Sequence, residues 1–127
     1  MSFEEILLNY WASHASLYDV ISFSNVFAGP EGEAETPYIR ILADEQKTAL
    51  PTSGPRSPAA FTMRLELHHD SYHAATEMLG LLIDGLNGVR IPTETDGTYV
   101  FRFAARHHKR HGETHWILTA IFRCLVG

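Results

Sequence analysis

The chain has 127 residues, of which 45% are hydrophobic and 20% charged, and its formal net charge at pH 7 is -5. This length and balance exclude an intrinsically disordered chain and predict a single folded domain over residues 1–127. The acidic charge excludes a protein that binds nucleic acid mainly through its phosphates, because such proteins need an excess of Lys and Arg.

One cysteine, Cys124, is present, so an internal disulfide and a multi-cysteine zinc module are excluded. It lies in an apolar run, where we expect it to be buried. No stretch approaches 18 uninterrupted apolar residues, and the N-terminus lacks the pattern of a secretory signal. We therefore expect neither a membrane-spanning segment nor standard secretion.

The first half of the chain predicts one helix, two strands and a long loop. Ser2 with Glu5 three places later opens an amphipathic helix over residues 2–15 as a capping box. A short apolar run at 26–27 predicts a strand, and a second strand follows Pro37 and ends near Ala43. Residues 44–60 contain three prolines and few apolar side chains, which indicates a functional or mobile loop.

The second half predicts a strand, a helix and a hairpin. Residues 61–68 alternate apolar and polar, as in a strand with one buried face, and Asp70 and Ser71 can cap a helix that ends near residue 87. Residues 98–106 and 115–125 predict two further strands around a hairpin tip at 107–114. This order predicts an α+β domain with a mainly antiparallel sheet covered on one face by two helices. Aromatic side chains at strand spacing are expected in its core: Tyr99, Phe101, Phe103, Trp116 and Phe122.

The eight histidines raise the hypothesis of a metal site, because histidine is a common ligand of transition metals. His69 and His73 lie four residues apart where a helix begins, and His107, His108, His111 and His115 cluster around the predicted hairpin. The ligands of this alternative would be His69, His73, His108 and His111. Neither cluster has a recognised metal-binding spacing, so the preferred interpretation has no metal and no cofactor.

Enzymatic functions find no support in the motifs of this chain. No serine lies in a Gly-x-Ser-x-Gly turn, and the one cysteine belongs to a buried strand. The glycines form neither a dinucleotide fingerprint nor a phosphate-binding loop. We therefore expect no catalytic residues.

Basic residues concentrate in one place in this acidic chain, at Arg102, Arg106, Lys109 and Arg110. At a hairpin tip they could contact an acidic partner subunit or DNA, or they could simply form a solvated turn.

The pattern as a whole resembles the tail-terminator and tail-completion proteins of bacteriophages, which include minor tail proteins of lambda-like siphophages. The similarity spans nearly the whole chain. It is carried by the amphipathic first helix, the strand led by Pro37 in Thr36-Pro37-Tyr38-Ile39-Arg40-Ile41, the alternating segment Phe61 to His68, the helix opened by Ser71-Tyr72 and closed by Leu86-Asn87-Gly88, and the last strand from Trp116.

This resemblance implies a virion protein without enzymatic activity that forms a ring, commonly a hexamer, on the tail tube. The ring would stop tube growth and present a surface to the head connector, while DNA passes through without specific binding. Its location would be the tail or neck of the virion, and the host cytoplasm during assembly. As subunit or partner contacts we select Arg56 in the long loop and Arg106, Lys109 and Arg110 in the hairpin.

Two alternatives stay open on the sequence alone. The first is a neck or head-completion protein, which would dock on the connector instead of the tube. The second is a small cytosolic protein that binds a metal or ligand through its histidines.

Overall fold

The computed structural model describes residues 2–29, 34–44, 48–49, 59–93 and 97–127. Its elements are the helices α1 (Phe3–Ser13), α2 (Ala15–Tyr18) and α3 (Tyr72–Leu86), a 3-10 turn (Phe23–Asn25), and the strands β1 (Val26–Ala28), β2 (Tyr38–Ala43), β3 (Thr48–Ala49), β4 (Ala59–His69), β5 (Arg90–Pro92), β6 (Thr98–Arg110) and β7 (Trp116–Val126). The strands form one sheet in the order β1-β2-β4-β7-β6-β5, with β3 paired to β4. Among these described strands β1 and β2 run parallel and the other neighbours antiparallel. The predicted α+β class with a mainly antiparallel sheet is confirmed.

Helix α1 begins where the sequence predicts, with the Ser2 hydroxyl accepting a hydrogen bond from the Glu5 backbone N–H at 3.2 Å. It ends two residues earlier than expected, because His14 takes an extended conformation and a short unpredicted helix, α2, follows. This bend lets Leu17 enter the core, where it is fully buried. It also brings the carbonyl of Ile21 within 2.9 Å of the indole N–H of Trp11, so the buried indole donates a hydrogen bond.

One face of the sheet carries the hydrophobic core, and we call it the core face. Met63, Leu65 and Leu67 of β4 point there and are fully buried. Helix α3 packs against β4, β6 and β7, and Phe3 of α1 packs edge-on against Phe61 with ring centres 4.8 Å apart. The period of two in β4 and the period of about 3.6 in α3 place the apolar side chains of both elements in this layer.

The hairpin formed by β6 and β7 is longer than the sequence predicts. Strand β6 runs to Arg110, which pairs with Trp116, so the predicted tip at 107–114 is wrong. The turn lies at residues 111–115, where the His111 backbone N–H donates to the carbonyl of His115 at 2.7 Å. Residues 107–110 therefore belong to a strand.

A bulge at Ala104 changes which side chains of β6 share a face. Phe103 pairs with Phe122 and Ala105 pairs with Ile121, so Ala104 is one extra residue between them. The Asn87 side chain accepts a hydrogen bond from the Phe103 backbone N–H at 3.0 Å beside this bulge. Because of the extra residue, even-numbered residues after the bulge lie on the core-face side and odd-numbered ones on the opposite side.

The aromatic residues predicted for the core do pack there. Phe101 and Phe122 are fully buried, while the other three, Tyr99, Phe103 and Trp116, are partly buried against the core. Cys124 is fully buried as expected, and burial raises the pKa of its thiol to about 12.

Part of the predicted loop 44–60 is strand in the structure, because β3 occupies 48–49 and β4 begins at 59; residues 45–47 and 50–58 lie outside the described ranges. The described helices are all too short or too polar to cross a membrane.

Candidate functional site

The sheet face opposite the core face carries an unusual concentration of positive charge, and we call it the basic face. The strand register places on it six of the ten Lys and Arg residues of the chain: Arg40, Arg64, Arg90, Arg102, Lys109 and Arg123. All of them are exposed except Arg40, which is buried and lies over the ring of Tyr38. Of the carboxylates on the described strands, only Glu66 falls on this face.

Three arginines occupy neighbouring positions on the inner strands β4, β7 and β6 of the basic face. Arg102 and Arg123 are direct cross-strand partners, and Arg64 pairs with Ile121, the next residue along β7 on the same face. Like charges directly opposite each other on a sheet destabilise it. Within the described residues, none of these three guanidinium groups forms an ion pair. Among the described residues, no direct ion pair therefore relieves their mutual repulsion.

Apolar side chains lie between these charges. Val100, Ile117, Ile121 and Leu125 point to the basic face, and each is partly exposed. A shallow depression of about 300 Å³ runs across β4, β7 and β6, lined by Arg64, Glu66, His107, His108, Lys109, Ile117, Thr119 and Ile121. A surface that mixes cations with aliphatic side chains suits a protein partner that offers both carboxylates and an apolar group.

The outer surface of α3 has the opposite character. Glu77, Leu81 and Asp84 recur at helical spacing on the side of α3 that faces away from the sheet, and all are exposed. Leu81 is 56% exposed, the largest exposed fraction among the large hydrophobic residues of the described chain. Apart from its chain neighbours and the backbone of its own helix, nothing lies within 4 Å of the position that a Cβ would occupy at Gly80 beside it. We call this surface the α3 ridge.

A histidine pair lies at the end of the basic face. The rings of His68 and His115 approach within 2.9 Å, Nδ1 to Nε2, and the His68 ring stacks on Tyr38 with centres 4.4 Å apart. His68 is nearly buried, and its Nε2 has no hydrogen-bond partner among the described residues. Burial first, and then the neighbouring His115, Arg40 and His111, lower the pKa of His68 to about 4. The His68 ring is therefore neutral at physiological pH.

The structure separates the basic residues selected from the sequence. Lys109 lies on the basic face, whereas Arg106 and Arg110 lie on the other side of β6. The Arg110 guanidinium donates to the carbonyls of Gly112 and Glu113 at 3.0 and 2.9 Å, so it holds the turn. All three are strand residues and not part of a tip, because β6 continues through them. Arg56 lies outside the described residues.

The four histidines of the metal hypothesis each have a different neighbour. His69 accepts from the Ser71 backbone N–H, His73 contacts Glu77 at 3.3 Å, and the His108 ring lies 5.3 Å from Tyr72. The ring of His111 faces His115 instead. In the part of the chain that the structure describes, no three His, Cys, Asp or Glu side chains converge as metal ligands would.

Sequence reasoning missed the basic face and the pairing of His68 with His115. The alternation in β4 already places Arg64 and His68 on its polar face, so the sequence shows that these two side chains point away from the core. Their neighbours on that face depend on the strand register, which sets Arg123 beside Arg102 and brings His68 and His115, 47 positions apart, into contact. A single sequence does not specify that register.

The fold is shared with a protein of known structure. A chain from the virion of a native gene transfer agent particle superposes with a TM-score of 0.76. The match covers 98% of this chain and 94% of that one, at 15% sequence identity. No protein-family model and no curated protein matches the sequence. At this identity the likeness shows a common fold, extending over almost the full length of both chains.

Proposed function

We propose that this chain is a non-enzymatic structural subunit of a phage-like virion that closes a ring on the end of the tail tube. The ring stops tube polymerisation and offers a surface to the head connector. The observation that carries the proposal is the near full-length likeness to a gene transfer agent virion chain. It agrees with the resemblance of Thr36 to Ile41, Phe61 to His68 and the helix from Ser71 to tail-terminator proteins.

The surface of the molecule supports an assembly role. The basic face and the α3 ridge lie on opposite sides of the subunit, because α3 packs on the core face of the sheet. Subunits that join through two different patches form heterologous contacts, and such contacts close into rings when the rotation between neighbours allows it. The proposal has further parts. The ring is a hexamer, its partners are the tube protein and the head connector, and DNA passes through it without specific binding. The protein lies in the tail or neck of the virion and is assembled in the host cytoplasm.

The test is the length of tails in particles produced without this chain. Deleting its gene in a producing strain should give tubes of irregular and excessive length together with heads that lack tails, because nothing stops tube growth. Re-expression of the chain from a plasmid is the control and should restore tails of uniform length. Particles with normal tails joined to heads would contradict the proposal.

The same experiment separates the second candidate, a neck or head-completion protein, which the likeness to a virion chain also favours. Loss of such a protein should leave tails of normal length, accumulating beside unjoined heads. Tail length therefore decides between the two functions.

A further inference from the structure

We propose that the basic face of one subunit receives the α3 ridge of a second copy of this chain, so that Glu77 and Asp84 of the ridge lie against Arg64, Arg102 and Arg123. This inference rests on the proposed ring and names the two surfaces that form it. Three observations about the described residues carry it: a cluster of cations without a direct ion pair, apolar groups on both surfaces, and compatible dimensions.

The cation cluster calls for an anionic partner. Arg102 and Arg123 are directly opposed, and neither has an ion pair within the described chain. A second protein surface that brings carboxylates to this point would convert the repulsion into attraction. The chain itself is a source of such carboxylates, because it has 15 Asp and Glu residues against 10 Lys and Arg, while the basic face holds six of the cations.

The apolar groups favour protein over nucleic acid as the occupant. Nucleic-acid binding through phosphates requires cations but not aliphatic side chains between them. Ile117 and Ile121 lie between the cations of the basic face and are only partly covered. On the α3 ridge, Leu81 projects between Glu77 and Asp84 and is 56% exposed. A ridge with one central apolar side chain and flanking carboxylates complements a face with central isoleucines and flanking guanidinium groups.

The dimensions are compatible. Helix α3 has 15 residues, so it is about 22 Å long. Strand β7 has 11 residues and is about 36 Å long. The neighbouring open space at Gly80 lets the helix backbone approach the partner closely. Because the two surfaces lie on opposite sides of the subunit, each copy can use both of them at once, as a ring requires.

Disulfide cross-linking between two single variants tests the contact directly. Leu81→Cys places a thiol on the α3 ridge, and Thr119→Cys places one at the centre of the basic face. The native Cys124 is fully buried and does not compete. On mild oxidation of an equimolar mixture, we expect the Leu81→Cys/Thr119→Cys heterodimer to exceed either homodimer by about tenfold. Ala12→Cys, exposed on α1, replaces Leu81→Cys in the control mixture and should give only the background yield.

Charge reversal then tests the stated chemistry. Adding Arg64→Glu and Arg123→Glu to the Thr119→Cys variant should reduce the heterodimer yield by about tenfold, and so should adding Glu77→Lys and Asp84→Lys to the Leu81→Cys variant. Mixing the two reversed proteins should restore the yield, because the charges are again complementary. The restored yield also shows that both reversed proteins are folded.

A heterodimer yield equal to the Ala12→Cys background would overturn the inference, and so would a yield that charge reversal does not change. Saturable binding of a 30-base-pair duplex DNA, lost on Arg64→Glu and Arg123→Glu while the cross-link yield stays at background, would assign the basic face to nucleic acid instead. These outcomes are separate from the proposed function, because normal tails in particles lacking the chain would contradict that function whatever the cross-linking result.

Discussion

The two faces of the sheet use the same strands for different purposes. In β4, Met63, Leu65 and Leu67 face the core and are fully buried, while Arg64 between them is exposed on the basic face. The core face gains stability by removing apolar area from water. The exposed arginines of the basic face, by contrast, remove little apolar area from water, and those directly opposed repel each other. The core face therefore accounts for stability, while the exposed side chains of the basic face are available for the assembly contact that we propose.

The largest expected effect is on the core face. Phe122→Ala should lower the free energy of unfolding by about 3–5 kcal/mol, because it leaves a cavity beneath α3 at a fully buried position. Urea denaturation followed by circular dichroism measures the change. Arg123→Ala, one residue along the same strand, is the matched control and should change stability by less than about 0.5 kcal/mol. Similar losses for both variants would show that Arg123 stabilises the fold as much as Phe122 does.

The next effect concerns a hydrogen bond that ties α1 to the segment after α2. Trp11→Phe keeps an aromatic ring but removes the N–H that donates to the Ile21 carbonyl at 2.9 Å. We expect a loss of about 1–3 kcal/mol, because a buried carbonyl is left without a donor. Thermal unfolding measures it, with Tyr18→Phe at an exposed position as a control that should be neutral. A neutral Trp11→Phe would show that the bend at His14 does not depend on this bond.

The third effect is a dependence of the free energy of unfolding on pH, which comes from His68 at the end of the basic face. The pKa of His68 is about 4 in the folded chain and about 6.5 when unfolded, so the unfolded state binds more protons between these values. Stability should therefore fall as the pH drops from 6.5 to 4, by at most about 1.4 kcal/mol per pH unit from this group.

His68→Phe removes this titration and keeps a ring against Tyr38, so its melting temperature should depend less on pH in that window than the wild type. Tyr18→Phe, at an exposed position away from His68, is the control and should keep the wild-type dependence of the melting temperature on pH. Parallel curves for the wild type and His68→Phe would show that His68 does not contribute.

Glycine substitutions on the two sides of α3 should change stability least of all. Gly80→Ala should raise the free energy of unfolding by about 0.5–1 kcal/mol, because alanine favours the helix and nothing lies within 4 Å of the added Cβ. Gly85→Ala should bring no such gain, because its Cβ would lie 3.1 Å from a Leu17 methyl and 3.3 Å from the Ser16 carbonyl. If both changes shifted the urea midpoint equally, the packing of Leu17 and Ser16 against Gly85 would not limit the side chain at that position.

Much of the fold could be predicted from local patterns. The alternation in residues 61–68 and the spacing of apolar residues in α3 depend only on the periods of strand and helix, and both elements formed where expected. The serine caps of α1 and α3 also formed, because a serine hydroxyl satisfies backbone N–H groups of the first turn wherever the helix packs.

The remaining features depend on tertiary pairing. Ala104 and Ala105 are both small and apolar, so no alternation marks the bulge, and its position follows from the register with β7. Strand β5 has one buried apolar residue, Ile91, which is too little for a periodic signal. The break at His14 follows from packing Leu17 and Ile21 against the helices. The face on which a strand residue lies also depends on this pairing. The sequence therefore identified Lys109 as a candidate contact residue, but it did not show that Lys109 shares a face with Arg123.

The most direct test of the account is the mass of the purified chain by light scattering over a concentration series, with negative-stain images of the same samples. The account predicts that the mass rises from the 14.3 kDa subunit and levels at one closed ring, about 86 kDa for six copies. It also predicts that the Arg64→Glu and Arg123→Glu double variant stays at the subunit mass under the same conditions. A wild-type chain that remains a monomer at the highest concentration, or grows without a limiting size, would contradict it.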